Sequence, residues 1–248
     1  MGKLAVTFLG SGDAFGTGGR LQACILVKAP TESFLMDCGA TVMTSLRRYG
    51  TDPNSVERIL LSHLHGDHFG GIPFFILDAQ LISKRTQPLT IVGPVGTQER
   101  VLTLMEVMFP GSSTVQRKFA VDFVELVPGR PQQLGSLMVT ACRVPHIPVG
   151  DALALRVELD GKTVAYTGDG EWTDDLIPLC RQADLVIVEG YSEERSIKNH
   201  MNLRIFFEHW PAMAGKRLVL THMSREILQK SGEMGWECAA DGETFELE

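Results

Sequence analysis

Three histidines and an aspartate crowd into the six residues His63 to His68 (HLHGDH), directly behind an apolar run. Let that run be a strand from Arg58 that ends at Leu64 or His65. Side chains alternate along a strand, so His63 and His65 would point to one side, and Gly66 would let the backbone turn sharply before Asp67 and His68. Four ligand-type groups would then face one small volume. Left unsatisfied at a buried strand end they would cost ~1 to 3 kcal/mol each, whereas a metal ion satisfies them directly. The fold must therefore bring this strand end and further ligands to a common rim.

The further ligands arrive by the same device. TACRVPH ends in His146, TVAYTGD in Asp169 and RLVLTH in His222, each an apolar strand closed by a residue that binds metal. A lone histidine behind a strand is ordinarily a hydrogen-bonded rim residue, and an aspartate in TGDG ordinarily belongs to a turn. Five of the chain's seven histidines fall at such positions, and together the set reads as a dinuclear metal site. In layered α/β proteins the carboxyl ends of strands are where sites assemble.

At 248 residues the chain can form one large α/β domain stabilised by burial, so a metal would serve chemistry rather than staple the fold. Short β-branched and apolar runs, among them LAVTFLG, ACILVKA, SFLMDCG, LTIVGP, LMVTACRV, ALALRVEL and ADLVIVEG, have the length and spacing of strands. Amphipathic segments predict helices near residues 41–49, 69–84, 97–109, 174–182, 203–214 and 225–233. The strands fall into two groups on either side of the turn-rich PGRPQQLG, residues 128–135. That distribution predicts two packed sheets with helices outside, in one domain over residues 1–248. Cys24, Cys38, Cys142, Cys180 and Cys238 include no C-x-x-C pair and read as buried thiols of a reducing compartment. No apolar run reaches the ~18 residues of a membrane span, and MGKLAVTFLGSG reads as a first strand rather than a leader. A cytoplasmic protein without membrane contact is expected. The formal charge of −7 disfavours a surface built to hold nucleic acid indiscriminately.

H-x-H-x-D-H, followed by a histidine, an aspartate and a last histidine, each behind a strand, resembles the metallo-β-lactamase fold superfamily. FLGSGDAFG, MDCG and VGPVGT fit it too, and the likeness spans nearly the whole chain. It implies a four-layered αβ/βα sandwich, α/β in class, with two mixed sheets, helices outside and metals at one edge. It also implies an allocation, with His63, His65 and His146 on one ion, Asp67, His68 and His222 on the other, and Asp169 bridging. Nitrogen and oxygen donors without thiolate suit two divalent ions, zinc first and manganese second. Such ions ~3.5 to 4 Å apart can hold a hydroxide as nucleophile, and Asp67 counts among the catalytic residues as well as the ligands. Iron members of the fold often carry glutamate where this chain has His65, so redox chemistry is not expected.

The superfamily cuts lactams, thioesters, lactones and phosphodiesters, so the fold alone does not name the bond. His200, in SIKNHMNLRIFFEHW, resembles the histidine that the ribonuclease Z and phosphodiesterase branch places near the scissile phosphate. Glu189, closing LVIVE, matches the acid that orients that histidine. A protonated imidazole there can stabilise charge on nonbridging oxygens and protonate the departing alkoxide. His209 lacks a partner pattern and reads as structural, while Lys198, Asn199 and Asn202 could touch phosphate. The glycine-rich GSGDAFGTGGR does not satisfy G-x-G-x-x-G, because Phe15 holds the last glycine position. It reads as a loop at the metal mouth that offers amides to an anion, with Arg20 assisting.

Bacterial members of the branch that process transfer RNA insert a long arm between the equivalents of His146 and Asp169. Here the connection IPVGDALALRVELDGKTVAYTG reads as a strand, a turn and a strand. The expected substrate is thus a small phosphodiester, a cyclic nucleotide or a short oligonucleotide, cut with His200 as general acid. Alternatives are a lactonase or thioesterase on the same scaffold, a transfer RNA 3′ processing endonuclease, and a noncatalytic protein that binds metal or nucleotide. For the endonuclease, Lys84, Arg85, Arg117 and Lys118 would be the basic residues to grip RNA. No stable nucleic-acid complex is expected, and a homodimer is compatible with the sequence.

Overall fold

A computed structural model describes residues 3–147, 150–233 and 235–248. The first sheet contains β1 (Leu4–Gly10), β2 (Cys24–Lys28), β3 (Ser33–Met36), β4 (Arg58–Leu60), β5 (Leu89–Gly93) and β6 (Val121–Glu125). The second contains β7 (Gln132–Leu134), β8 (Leu137–Val144), β9 (Ala152–Leu159), β10 (Lys162–Tyr166), β11 (Leu185–Glu189), β12 (Leu218–Thr221) and β13 (Glu237–Cys238). The last strand, β14 (Thr244–Leu247), returns to the first sheet, so the orders are β14-β1-β2-β3-β4-β5-β6 and β13-β12-β11-β10-β9-β8-β7. Each sheet is mixed. Pairing is antiparallel from β14 through β3 and parallel from β3 to β6. In the second sheet it is antiparallel from β7 through β10 and parallel from β10 to β13.

Alternation along these strands explains why the apolar runs are continuous. Val6, Phe8, Ile25, Val27, Phe34 and Met36 point inward against Leu153, Leu155, Val157, Val164, Tyr166 and Ile187 of the facing sheet. Their neighbours Leu9, Cys24, Leu26, Leu35, Ile59 and Ile91 point outward and are covered by helices. A sheet buried on both faces needs apolar residues at every position. On the outer face of the first sheet lie α1 (Val42–Arg48), a short α2 (Gly66–Phe69), α3 (Ile72–Leu81) and α4 (Thr97–Met108). Over the second sheet lie α5 (Leu176–Cys180), α6 (Leu203–Met213) and α7 (Arg225–Lys230), packed on Ala154, Ala165, Val186, Val188 and Leu220. Helix, sheet, sheet, helix is the four-layered sandwich the resemblance implied. The five cysteines are unpaired, and burial raises the thiol pKa of Cys142 and Cys180 to about 12. No helix among the described residues is long and apolar enough to cross a membrane.

Three details depart from the sequence reading. The strand expected to run to Leu64 or His65 stops at Leu60, since after Leu61 the chain leaves the ladder and Ser62 N–H turns to the Asp37 carboxylate at 2.8 Å. The helix expected over 69–84 is α3 alone, Ile72–Leu81, separated by Gly70 and Gly71 from the short α2 before it. A Cβ at Gly71 would stand 2.2 Å from the Gly39 carbonyl, and one at Gly39 would stand 2.3 Å from the Asp67 carbonyl. Glycine at both places lets the ligand loop press against the end of β3. The turn-rich 128–135 segment also holds β7, which pairs with β8.

Candidate metal centre

The carboxyl ends of β3, β4, β10, β11 and β12, together with the end of β8, meet on one rim between the sheets. His63, His65 and His146 form one group of possible ligand atoms there, and Asp67, His68, Asp169 and His222 form a second. All but His65 are buried, so the site opens to solvent at His65.

The hydrogen bonds fix which nitrogen faces inward. His146 Nδ1 donates to the Asn199 carbonyl at 2.6 Å, and His68 Nδ1 donates to Asp37 Oδ2 at 2.7 Å. That leaves Nε2 of each with a lone pair. His146 Nε2 stands 3.1 Å from His65 Nδ1, and His68 Nε2 stands 3.3 Å from His222 Nε2. Two imidazole nitrogens that face each other so closely must share a proton or a cation. Asp67 Oδ2 lies 3.2 Å from His222 Nε2 and 3.3 Å from His68 Nε2. Asp169 Oδ2 is 3.3 Å from both of those nitrogens and 4.0 Å from His146 Nε2, which puts it between the two groups. His63 Nε2, Asp169 Oδ1 and His222 Nδ1 are buried without a hydrogen-bond partner. Buried polar atoms are rarely left so, and the donor set with these orphans fits divalent cations.

Electrostatics point the same way. Burial first, then the neighbouring imidazoles, hold His63 well below the usual histidine range, and burial also lowers His65 and His146. Their lone pairs are therefore available at neutral pH. At His68 burial opposes protonation, but the Asp169 and Asp37 charges outweigh it and raise the pKa well above normal. His222 is likewise raised to about 8, burial being overcome by Asp169 and Asp67. Burial opposes ionisation of Asp67 and Asp169 too, yet contact with His222 and His68 lowers both. Without metal, protons on His68 and His222 offset the aspartates.

Asp37, which the sequence reading did not single out, orders His68 and its surroundings. It is fully buried, and besides His68 it accepts from Ser62 N–H and Oγ at 2.8 and 2.9 Å and from the Tyr166 hydroxyl at 2.9 Å. Its backbone has φ 60°, and that of His222 has φ 52°. Non-glycine residues hold this left-handed conformation only where the surroundings fix them, here through Asp37 N–H to Leu60 O at 2.8 Å and His222 N–H to Ser11 O at 2.9 Å. The signal was present, since Asp37 closes the apolar run SFLM as Asp169 closes TVAYTG. Asp37→Asn keeps the shape but removes the anion behind His68. Metal affinity should fall ~10- to 100-fold, measured by competition with a chromogenic chelator.

His200 stands beside the first group, its ligand atom within 4.8 Å of those of His146 and Asp169. Its Nδ1 meets Glu189 Oε1 at 2.5 Å, while Glu189 Oε2 accepts from Gly170 N–H at 3.0 Å and Met201 N–H at 2.9 Å. Glu189 is fully buried, and burial together with the Asp169 charge pushes its pKa well up. Burial lowers His200, against the pull of Asp169. The Tyr191 ring stacks on His200 with centroids 3.9 Å apart, a contact not foreseen from the sequence.

The remaining expectations separate. His209 stacks on Trp172 at 4.4 Å, away from the cluster, as a structural residue would. Asn199 contributes its backbone, accepting from His146 and donating its N–H to Glu171 Oε1 at 2.7 Å. Asn202 caps α6 through Ile205 N–H. Arg20 is tied through Nη1 to Ser11 Oγ and to the Ala239 carbonyl. Of the basic residues considered for RNA, Arg85 is buried and donates to the Gln87 and Pro88 carbonyls, Arg117 is half-buried and donates to those of Ser112 and Val115, and Lys84 and Lys118 are exposed. Between His146 and Asp169 the chain forms the β9–β10 hairpin, turning at Asp160 and Gly161 with φ 51° and 75°. Residues 148 and 149 of that connection lie outside the described residues.

Comparison with known proteins gives concordant likenesses. The family model described as anti-Pycsar protein Apyc1 matches residues 4–240. Ribonuclease Z of Methanothermobacter thermautotrophicus is 27% identical over 272 aligned positions, covering 89% of this chain and 87% of that protein. Among solved structures, the short form of human tRNase Z superposes with TM-score 0.80 at 25% identity, over 98% of this chain and 99% of that one. The metallo-β-lactamase fold protein YhfI of Bacillus subtilis superposes with TM-score 0.79 at 23% identity, over the same 98% and 99%.

Proposed function

The chain belongs to the family of the anti-Pycsar protein Apyc1, within the ribonuclease Z-like metal-dependent hydrolases of the metallo-β-lactamase fold, and on that premise we propose that it hydrolyses a small phosphodiester. The substrate class is a cyclic nucleotide or a short oligonucleotide. His63, His65 and His146 would hold one divalent ion, Asp67, His68 and His222 a second, and Asp169 both, with zinc the first choice and manganese the second. Two such ions neutralise charge on the attacked phosphate and lower the pKa of water.

The observation that carries this reading is the His200–Glu189 pair at 2.5 Å. Carbonyl hydrolysis expels groups that do not call for a donor in this place, whereas a phosphodiester expels an alkoxide that needs a proton. His200, held through Nδ1 by Glu189, turns Nε2 towards the ligand rim and can deliver that proton. The two backbone amides on Glu189 keep its carboxyl group in place, bound cations would favour the ionised form that the metal-free site disfavours, and that charge would then stabilise the imidazolium before transfer. Tyr191 limits the ring to one plane.

A second reading, transfer RNA 3′ processing, draws on the relatives named ribonuclease Z. An alignment of 272 positions on a chain of 248 residues means that the archaeal relative carries residues this chain lacks. The hairpin between His146 and Asp169, the net charge of −7 and the buried Arg85 supply little to hold a folded RNA. Remote binding energy normally positions a scissile bond. The test compares kcat/KM for a precursor transfer RNA and for a cyclic nucleotide with metal-loaded protein. The small diester should be the better substrate and cleavage of the precursor slow and imprecise; efficient cleavage at a single site would overturn the reading.

Metal uptake should release protons. His68 is raised well above the usual histidine range and His222 to about 8 in the metal-free protein, so near neutrality both favour a proton that the cation must displace. Apparent zinc affinity should therefore rise with pH and fall below neutrality. Calorimetry in buffers of different ionisation enthalpy at pH 7 should report at least about one proton released per chain.

A further inference from the structure

A cavity of about 690 Å³ opens beside His65 and Asp67, between α4 and the loops that carry Ala14 and Leu64. Its lining includes the apolar side chains of Phe69, Leu104, Val107 and Met108. A second cavity of about 480 Å³ shares Leu64, His65, Arg100 and Thr103, so Arg100 stands where the two meet, next to the solvent-facing metal ligand. Neither cavity has another lysine or arginine in its lining. Arg100 is exposed and has no carboxylate within 4 Å among the described residues, so its guanidinium is open to a ligand. Val107, one turn and more along the same helix, is 75% exposed.

A cleft with apolar side chains in its lining, a free planar cation and a metal ligand at one end selects its ligand by chemistry. The guanidinium stacks on flat rings and donates in a fixed fork to edge acceptors, which a lysine does not do. The apolar side chains exclude a second phosphate or a sugar as the preferred occupant. Resting on the phosphodiesterase reading above, we propose that this cleft is the specificity pocket for a flat heterocycle bearing hydrogen-bond acceptors, a nucleobase of the substrate. Arg100 recognises its edge or face, while the phosphate lies at the His65 end. Arg100 sets which diester binds well; it takes no part in moving a proton.

Two measurements test this separately from catalysis itself. In calorimetry with zinc-loaded protein, adenosine 5′-monophosphate should bind at least about tenfold tighter than ribose 5-phosphate, and both Arg100→Ala and Arg100→Lys should erase most of that difference. In kinetics, both variants should lower the ratio of kcat/KM for cyclic AMP to that for bis(p-nitrophenyl) phosphate, which has no base, mainly through KM. Equal binding of the two monophosphates by wild type would overturn the pocket. Full rescue by lysine would overturn recognition in favour of plain charge, and a parallel loss on both diesters would move Arg100 to the phosphate. If wild type cleaves neither diester, the phosphodiesterase reading fails, and the binding comparison still decides whether the cleft takes a base.

Discussion

Asp169→Ala is expected to empty the metal site and abolish hydrolysis. Its carboxylate is 3% exposed, with Oδ2 within 3.3 Å of His68 and His222 and 4.0 Å of His146, and with Oδ1 buried and unpartnered. Among the described residues it is the acid placed to serve both groups, so its loss would remove a donor from each and an anion from between the two proposed cations. Loss of an outer-shell partner alone costs ~10- to 100-fold in metal affinity, and loss of a shared ligand should cost more. Elemental analysis of dialysed protein should fall from two ions per chain for wild type towards none. The fold should persist, because burial of three apolar clusters rather than metal holds it. Far-ultraviolet dichroism of the variant should therefore match metal-free wild type. Retention of both ions would remove Asp169 from its bridging position.

His200→Ala should leave metal content intact while turnover of an unactivated diester falls ~10²- to 10⁴-fold, the loss typical of a general acid. His200 is held by Glu189 and Tyr191 rather than by the ligand groups, so removing it need not disturb them. The effect should shrink on bis(p-nitrophenyl) phosphate, because p-nitrophenolate leaves without a proton. Glu189→Gln should fall between, since the amide holds the ring but no longer stabilises its charge. A cyclic nucleotide cleaved equally fast by variant and wild type would take His200 out of the mechanism.

What the sequence made legible was whatever local chemistry writes plainly. His146, Asp169 and His222 each close an apolar strand, and the structure places all three on the rim with the HLHGDH segment. Continuous apolar runs such as ALALRVEL announced sheets covered on both faces, and Leu153 and Ala154 indeed point to opposite cores. What stayed hidden depends on distant partners. The end of β4 is marked by Asp37, remote in sequence, which takes Ser62 N–H. Arg20 and Arg85 look like surface cations until the carbonyls of Ala239 and Pro88 are brought against them. The alternation in TFEL was readable as a strand, but its pairing of Leu247 with Leu4 joins the two ends of the chain and leaves no local trace. Tyr191 follows an ordinary strand, and only the fold lays it on His200.

The central claim is that this metal centre cleaves phosphodiesters and that His200 marks it for them. Phosphorus-31 resonance of zinc-loaded protein incubated with a cyclic nucleotide, run beside a lactone and a thioester assayed at equal enzyme concentration, tests it most directly. The account predicts that the diester signal is replaced by that of a phosphate monoester, with the carbonyl substrates turned over far more slowly. Rapid opening of the lactone or thioester by protein that leaves every diester unchanged would contradict it.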